Sequence, residues 1–200
     1  MIRLTMIRHG RTKGNLEGRY VGKTDEPLID EELSGLTAYR GIPCDAVYVS
    51  PYLRCRQTAA ILYPKQPHFV IPDFRECDFG QFEYKNHKEL STDPRYQLWI
   101  DSGGSLAFPG GESREEFEAR CCRGFIEVIA ETAINKWEHI AMVVHGGTIM
   151  AVLDAYGLPH RDYFDWQVGN TEGYEIRLDA ESFADGTRRE LIVDGRIVRR

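Results

Sequence analysis

The chain has 200 residues, 42% of them hydrophobic, which is enough to bury one substantial core, so a single domain is expected. Its 31 acidic residues outnumber its 25 basic ones and give a formal net charge of -6, which argues against a nucleic acid or an anionic membrane as partner. No apolar segment is long enough to span a bilayer, and the five cysteines have no metal-ligand spacing, so we expect a reduced, cytoplasmic protein.

Apolar runs and helical patterns alternate along the chain. Four runs have the composition of buried strands, at residues 2–7, 45–49, 69–71 and 140–144. Three segments have helical patterns, at about residues 52–63, from residue 113 onward, and at about residues 148–156. This alternation predicts an α/β fold, a three-layer sandwich with a largely parallel central sheet and helices on both faces. After residue 170, an alternating run and two Asp-Gly pairs predict a closing β-hairpin or meander.

Polar residues follow three of the predicted strands, at the point where each strand ends. Arg8 and His9 follow the first strand, Arg54 comes shortly after the second, and His145 follows the strand at 140–144. Ligands of open parallel sheets bind beyond the carboxyl ends of the strands, so we expect these side chains to lie close together. Two histidines and two arginines in such a place are typical of a site that handles phosphate.

The side chains of this cluster suggest a reaction. A neutral imidazole can attack phosphorus and form a covalent intermediate. Arginines match phosphate oxygens and stay charged, so they can stabilise a transferring phosphoryl group as a metal ion would. The carboxylates of the sequence form no obvious metal cluster, so the prediction is metal-free catalysis without a cofactor.

A leaving alkoxide also needs a proton, and a carboxylic acid is the natural donor. Three carboxylates of the segment 74–83 are eligible by spacing, namely Glu76, Asp78 and Glu83. Chemistry favours a carboxyl whose apolar surroundings raise its pKa toward neutrality, and three phenylalanines of the same segment are suited to that. The residues alone do not select one of the three.

Four motifs together resemble the histidine phosphatase superfamily, the phosphoglycerate-mutase-like group. They are, in chain order, Arg-His-Gly-x-Thr-x-x-Asn, Ser-Pro-x-x-Arg-Cys-x-x-Thr-Ala, Glu-x-Asp-Phe-Gly-x-Phe-Glu and His-Gly-Gly. The resemblance implies that His9 is the phosphorylated nucleophile and Glu76 the proton donor. It implies further that the phosphoryl group is bound by Arg8, Thr12, Asn15, Arg54, His145 and the backbone of Gly146.

Within the superfamily the chain is more similar to the small phosphatases than to the mutases. It lacks the Arg-x-Tyr-Gly pattern that mutases carry after the acid, and residues 108–113 are similar to the α-ribazole phosphatase group. The implied function is a metal-independent phosphomonoesterase acting on a small phosphorylated metabolite, with α-ribazole 5'-phosphate as one candidate. The alternatives are a cofactor-dependent phosphoglycerate mutase and, in another class, a non-catalytic phosphoryl-ligand sensor or interaction module.

The sequence also suggests which segments and residues surround the site. Residues 73–111 form either a cap over the active site or an ordinary helical excursion packed on the sheet, within a single domain of residues 1–200. Candidate substrate-pocket residues are Arg11, Tyr84, Trp99 and Phe108. His139, at a helix-strand junction, is expected to be exposed. A homodimer, for instance through the C-terminal strands, is compatible with the sequence, which does not establish it.

Overall fold

The computed structural model describes residues 1–36 and 43–198. Its strands are β1 (Ile2–Arg8), β2 (Ala46–Val49), β3 (His68–Val70), β4 (His139–Val144), β5 (Gly157–Leu158), β6 (Gly173–Leu178) and β7 (Leu191–Ile197). Its helices are α1 (Lys13–Leu16), α2 (Asp30–Gly35), α3 (Leu53–Leu62), α4 (His87–Leu90), α5 (Pro94–Asp101), α6 (Arg114–Asn135), α7 (Gly146–Tyr156) and α8 (Ala180–Asp185). Short 3-10 turns lie at Pro72–Phe74, Gly80–Phe82 and Tyr163–Trp166. In the described part of the chain, no helix is both long and apolar enough to cross a membrane.

The strands form one sheet in the order β3-β2-β4-β1-β6-β7-β5. Strands β1 to β4 are parallel to one another, whereas β6 is antiparallel to β1 and β7 is antiparallel to β6. In the register of β1 with β4, Arg8 is paired with Val144. The residues that follow these two strands, His9 and His145, therefore leave the sheet side by side at its carboxyl edge.

Helices cover both faces of the sheet, as predicted. Ile140 and Met142 of β4 belong to a core beneath α6, α7 and α8, and the alternate residues Ala141 and Val143 belong to a second core beneath α3. Every residue of β4 is buried, as expected for a central strand of a two-sided parallel sheet. The α/β sandwich with a largely parallel sheet is thus confirmed.

The C-terminal end is an antiparallel strand pair, β6 and β7, joined by a helix. The predicted Asp-Gly pairs do not form its turns: Gly186 ends α8 with a left-handed φ of 82°, and Gly195 lies inside β7. Asp194 is the extra residue at a register shift between β6 and β7. An Asp-Gly pair suits a helix end or a bulge as well as a hairpin turn, because glycine accepts the left-handed backbone in each.

His139 is buried, contrary to expectation. Only 5% of its surface is exposed, its Nε2 lies 2.9 Å from the Thr5 hydroxyl, and its Nδ1 lies 2.9 Å from the carbonyl of Pro43. His139 is the first residue of β4, and β4 lies between β1 and β2 in the sheet. These neighbouring strands bury a position that the sequence pattern places at a helix-strand junction.

Candidate active site

The predicted polar residues converge where β1, β2 and β4 end. His9 follows β1 and donates its backbone N–H to the carbonyl of Val144 at 3.0 Å. His145 follows β4 and is the N-cap of α7. The two imidazole rings stand edge to face with centroids 5.2 Å apart. Arg8 comes from the last position of β1, and Arg54 comes from the first turn of α3.

His9 is set up as a neutral nucleophile. Its ring is buried, and its Nδ1 lies 2.7 Å from the carbonyl of Gly10, which can only accept, so Nδ1 carries the proton. Burial lowers the pKa of His9 well below the usual histidine range, and the charges of Arg54 and Arg8 lower it further. The remaining nitrogen, Nε2, therefore keeps its lone pair at neutral pH.

Of the two arginines, Arg54 is buried and Arg8 is partly buried. Arg54 is fully buried and donates to main-chain carbonyls of Thr24 at 2.9 Å and Gly22 at 2.9 Å. Arg8 donates to the carbonyl of Val168 at 2.8 Å. The Nε–H groups of both arginines are buried and have no hydrogen-bond partner among the described residues. A buried donor without a partner is costly, and an oxyanion bound here would satisfy it.

His145 is fully buried between Ser50 and Glu76. Its Nε2 lies 2.7 Å from the Ser50 hydroxyl, and its Nδ1 lies 3.8 Å from a carboxylate oxygen of Glu76. Burial lowers the pKa of His145 well below the usual range, and the charges of Arg54 and Arg8 act in the same direction. Both histidines of the site are therefore neutral at pH 7.

Glu76 is the carboxyl that lines the cavity. Burial raises its pKa, and an opposing hydrogen bond from the backbone N–H of Cys77, 3.0 Å from its Oε1, moderates the shift. The other two candidates serve the local structure. Asp78 accepts from the backbone N–H of Gly80 and pairs with Lys23, and Glu83 accepts from the backbone N–H groups of Gly22 and Thr24.

Glycine at position 147 leaves room for the Glu76 carboxyl beside the cavity. A Cβ on Gly147 would lie 2.7 Å from Oε1 of Glu76 and 2.9 Å from the ring of Phe117. A Cβ on the neighbouring Gly146 would meet nothing closer than 3.5 Å. The second glycine of the His-Gly-Gly motif is therefore required by contact, which its sequence pattern does not reveal.

A cavity of about 410 Å³ opens above these groups. Arg8, His9, Asn15, Glu76 and Gly146 contribute to its polar floor. Its walls are rich in aromatic side chains, namely Tyr20, Phe79, Trp99, Phe108, Phe117, Tyr163 and Phe164. The lining is thus polar where phosphate is expected and apolar where a leaving group would extend.

Three predicted residues lie elsewhere. Arg11 pairs with buried Glu32 at 2.6 Å, and the hydroxyl of Tyr84 donates to Glu26 at 3.0 Å. Thr12 is buried as the N-cap of α1. None of the three lines the cavity, whereas Trp99 and Phe108 do. Arg54 and His145 are not part of the lining either, being fully buried next to His9.

Several cavity residues went unrecognised in the sequence. Tyr163 and Phe164 lie in a 3-10 turn after α7 that carries no motif. The guanidinium of Arg114 stacks on Tyr163, 3.8 Å from the ring centroid. The only available signal was the capping box of α6, which fixes where Arg114 starts its helix but not what it faces. Among the described residues, no group of three or more His, Cys, Asp or Glu side chains is arranged to hold a metal ion.

Comparisons with known proteins identify the family of this chain. The family model described as histidine phosphatase superfamily (branch 1) matches residues 4–185. The chain is 27% identical over 176 residues to the adenosylcobalamin/alpha-ribazole phosphatase of Escherichia coli K12, with 84% of this chain and 85% of that protein covered. It is 30% identical over 166 residues to the 2,3-bisphosphoglycerate-dependent phosphoglycerate mutase of Rhizobium etli, with 76% and 78% covered. The crystal structure of the alpha-ribazole phosphatase from Shigella flexneri matches with a TM-score of 0.76 at 25% identity, over 89% of this chain and 91% of that one.

Proposed function

The chain belongs to the histidine phosphatase superfamily, branch 1, and is a phosphatase; on that premise we propose that it hydrolyses small phosphomonoesters through a phosphohistidine at His9, without a metal. One observation carries the proposal. A buried neutral imidazole, whose Nδ1 is engaged by the Gly10 carbonyl, shares a cavity with a carboxyl of raised pKa, Glu76.

The proposed first step transfers the phosphoryl group to the enzyme. Nε2 of His9 attacks phosphorus and the bond from phosphorus to the ester oxygen breaks. Glu76, whose pKa is raised by burial, gives its proton to the leaving oxygen. Arg8 and Arg54 stabilise the negative charge on the transferring group.

The second step returns the enzyme to its starting state. The Glu76 carboxylate accepts a proton from water, and the resulting nucleophile attacks the phosphohistidine. The phosphorus–nitrogen bond breaks, inorganic phosphate leaves, and His9 is again neutral. Asn15, His145 and the backbone N–H of Gly146 bind phosphoryl oxygens in both steps. Thr12 acts on Asn15 in this proposal, because its backbone N–H donates to the Asn15 amide oxygen at 3.2 Å.

The cavity walls favour a monophosphate over the activator of a mutase. A bisphosphorylated activator needs free cations for its second phosphate. The two arginines of the wall are already paired: Arg19 contacts Glu89 at 2.8 Å, and Arg114 contacts Glu118 at 2.5 Å. The aromatic lining instead suits a flat, weakly polar leaving group. We therefore propose α-ribazole 5'-phosphate, the substrate type in the names of relatives, as the first candidate.

We also propose that residues 73–111 act as a cap within a single domain. Phe79, Trp99 and Phe108 of this segment form one side of the cavity, with the rings of Trp99 and Phe108 only 4.9 Å apart. In this proposal the cap contacts and selects the leaving group, while residues at the carboxyl edge of the sheet bind the phosphate. The five cysteines of the chain are free, which fits a reaction on a small metabolite in the reducing cytoplasm.

Two measurements test the catalytic proposal. Protein treated with a chelator should hydrolyse p-nitrophenyl phosphate, and His9→Ala should not. An acid-sensitive, alkali-stable phosphoenzyme should be trapped from the native protein and from the control His160→Ala, which changes an exposed histidine. If His9→Ala retained activity, His9 would not be the nucleophile.

Substrate comparison tests the proposed leaving group. α-Ribazole 5'-phosphate should be hydrolysed with a higher kcat/KM than glycerol phosphates. Mutase activity on 3-phosphoglycerate, present only with 2,3-bisphosphoglycerate, would favour the other function.

A further inference from the structure

The turn between Gly169 and Glu172 is docked against the loop that carries His9. The backbone N–H of Thr171 donates to the carbonyls of Arg8 at 3.0 Å and His9 at 3.3 Å. Thr171 is buried and has a left-handed φ of 65°, an uncommon state for a β-branched residue that persists only where the surroundings impose it. The turn therefore presents the residue before it, Asn170, to the active site in a fixed position.

The Asn170 amide nitrogen faces three oxygens that can only accept. They are the carbonyls of His9 at 3.0 Å and Gly10 at 3.4 Å and the side-chain oxygen of Asn15 at 3.2 Å. This set of acceptors fixes which end of the Asn170 amide points inward. One side chain from the far end of the chain thus links the nucleophile's loop to Asn15.

Asn15 lines the cavity, and its amide oxygen is held from two sides. It accepts from Asn170 and from the backbone N–H of Thr12, the latter at 3.2 Å. Because the amide oxygen of Asn15 accepts both hydrogen bonds, its NH₂ group is available to donate to a ligand in the cavity. A reversed amide would turn lone pairs toward the phosphoryl oxygens and repel them.

We propose that Asn170 is a positioning residue, which acts through Asn15 by holding that amide with its donor end toward the bound phosphoryl group. The inference rests on the proposed function, since it assumes that phosphate binds beside Asn15. Thr12 supplies the second donor from the backbone, so side-chain substitution of Asn170 removes one of the two restraints.

A double-mutant cycle tests this coupling. Asn15→Ala, Asn170→Ala and the double variant are compared by kcat/KM for p-nitrophenyl phosphate and by calorimetric binding of inorganic phosphate. Asn15→Ala removes a hydrogen bond to the charged phosphoryl group and should lose about tenfold to hundredfold, whereas Asn170→Ala removes hydrogen bonds to neutral oxygens and should lose about twofold to tenfold. The double variant should be no worse than Asn15→Ala alone. Losses that multiply, or an Asn170→Ala variant with native activity, would overturn the proposal.

A second variant covers the case in which Asn170→Ala does not fold. Asn170→Asp has the same shape but presents only acceptors, so it should turn the Asn15 amide round and weaken phosphate binding more than alanine does. Native phosphate affinity in Asn170→Asp would also refute the role. The exposed Asn135→Ala serves as control.

The cycle also separates this inference from the proposed function. Phosphate binding is measured without turnover, so the coupling between Asn15 and Asn170 can fail while His9→Ala still abolishes the phosphoenzyme. Conversely, an active His9→Ala would reject the catalytic proposal and leave the binding cycle interpretable.

Discussion

Adding one methyl group at Gly147 should displace the proposed proton donor. The new Cβ would lie 2.7 Å from Oε1 of Glu76 and 2.9 Å from the ring of Phe117, both too close for carbon. The carboxyl is the end of a flexible side chain, whereas the Phe117 ring is buried in packed core, so Glu76 must move. A displacement of about 1 Å at a reacting group can cost about a hundredfold in rate.

The choice of substrate makes this prediction specific. Gly147→Ala should lose about a hundredfold in kcat/KM on an alkyl phosphate, whose leaving oxygen needs the proton. It should lose much less on p-nitrophenyl phosphate, whose leaving group departs without one. Gly146→Ala adds the same methyl group with no contact nearer than 3.5 Å and should lose far less on the alkyl ester.

Stability must be followed in the same experiment. Alanine in place of a helical glycine stabilises by about 0.5–1 kcal/mol, so unfolding does not explain a loss unless the methyl contact outweighs this gain. Gly195→Ala, whose Cβ would meet nothing within 4 Å, is the control for the assay. Equal losses on both esters would refute the reasoning, because the methyl group would then be acting on the phosphate pocket and not on the acid.

Four further predictions concern the acid, the nucleophile, the residue that supports the acid and the cap. For an alkyl phosphate, kcat/KM should fall as pH rises through the raised pKa of Glu76, since only the protonated carboxyl donates, and Glu76→Gln should abolish that limb of the pH–rate profile. On the acid side kcat/KM should hold until the pH falls below the usual histidine range, because burial lowers the pKa of His9; a limb near pH 6.5 would contradict this. Arg120 pairs with Glu112 and donates to the carbonyls of Asp73, Arg75 and Glu76. Arg120→Met should therefore lower the free energy of unfolding by about 3 kcal/mol, measured by urea denaturation. Trp99→Ala should lower kcat/KM more for aromatic than for small aliphatic phosphates, and uniform losses would remove the idea of a selective cap.

The local sequence correctly predicted the features of the structure that depend on a single strand or on one end of a helix. The apolar runs before His9 and His145 predict buried parallel strands, and parallel strands bring their carboxyl ends to one edge, so the two imidazoles meet. The capping box at Ser113 likewise places the start of α6, because its partners are three residues apart.

Without the family resemblance, the choice among the three carboxylates requires the tertiary structure. Glu76, Asp78 and Glu83 are equivalent by spacing, but only Glu76 faces the cavity, whereas the other two are engaged by loop N–H groups. Family resemblance selected Glu76, and no property of the residue itself did so. The pKa of a carboxyl depends on what surrounds it, and those surroundings come from other segments.

The sequence by itself therefore determined the fold class and the residues that can do phosphate chemistry, since both follow from short-range periodicity and from side-chain type. The tertiary structure decided which neighbours those residues receive. Arg11 forms an ion pair with Glu32, the Tyr84 hydroxyl donates to Glu26, and the Asn170 amide donates to Asn15, which is 155 positions away in the chain. Such pairings form where separate segments pack together, and the local sequence pattern of one segment does not indicate which other segment will pack against it.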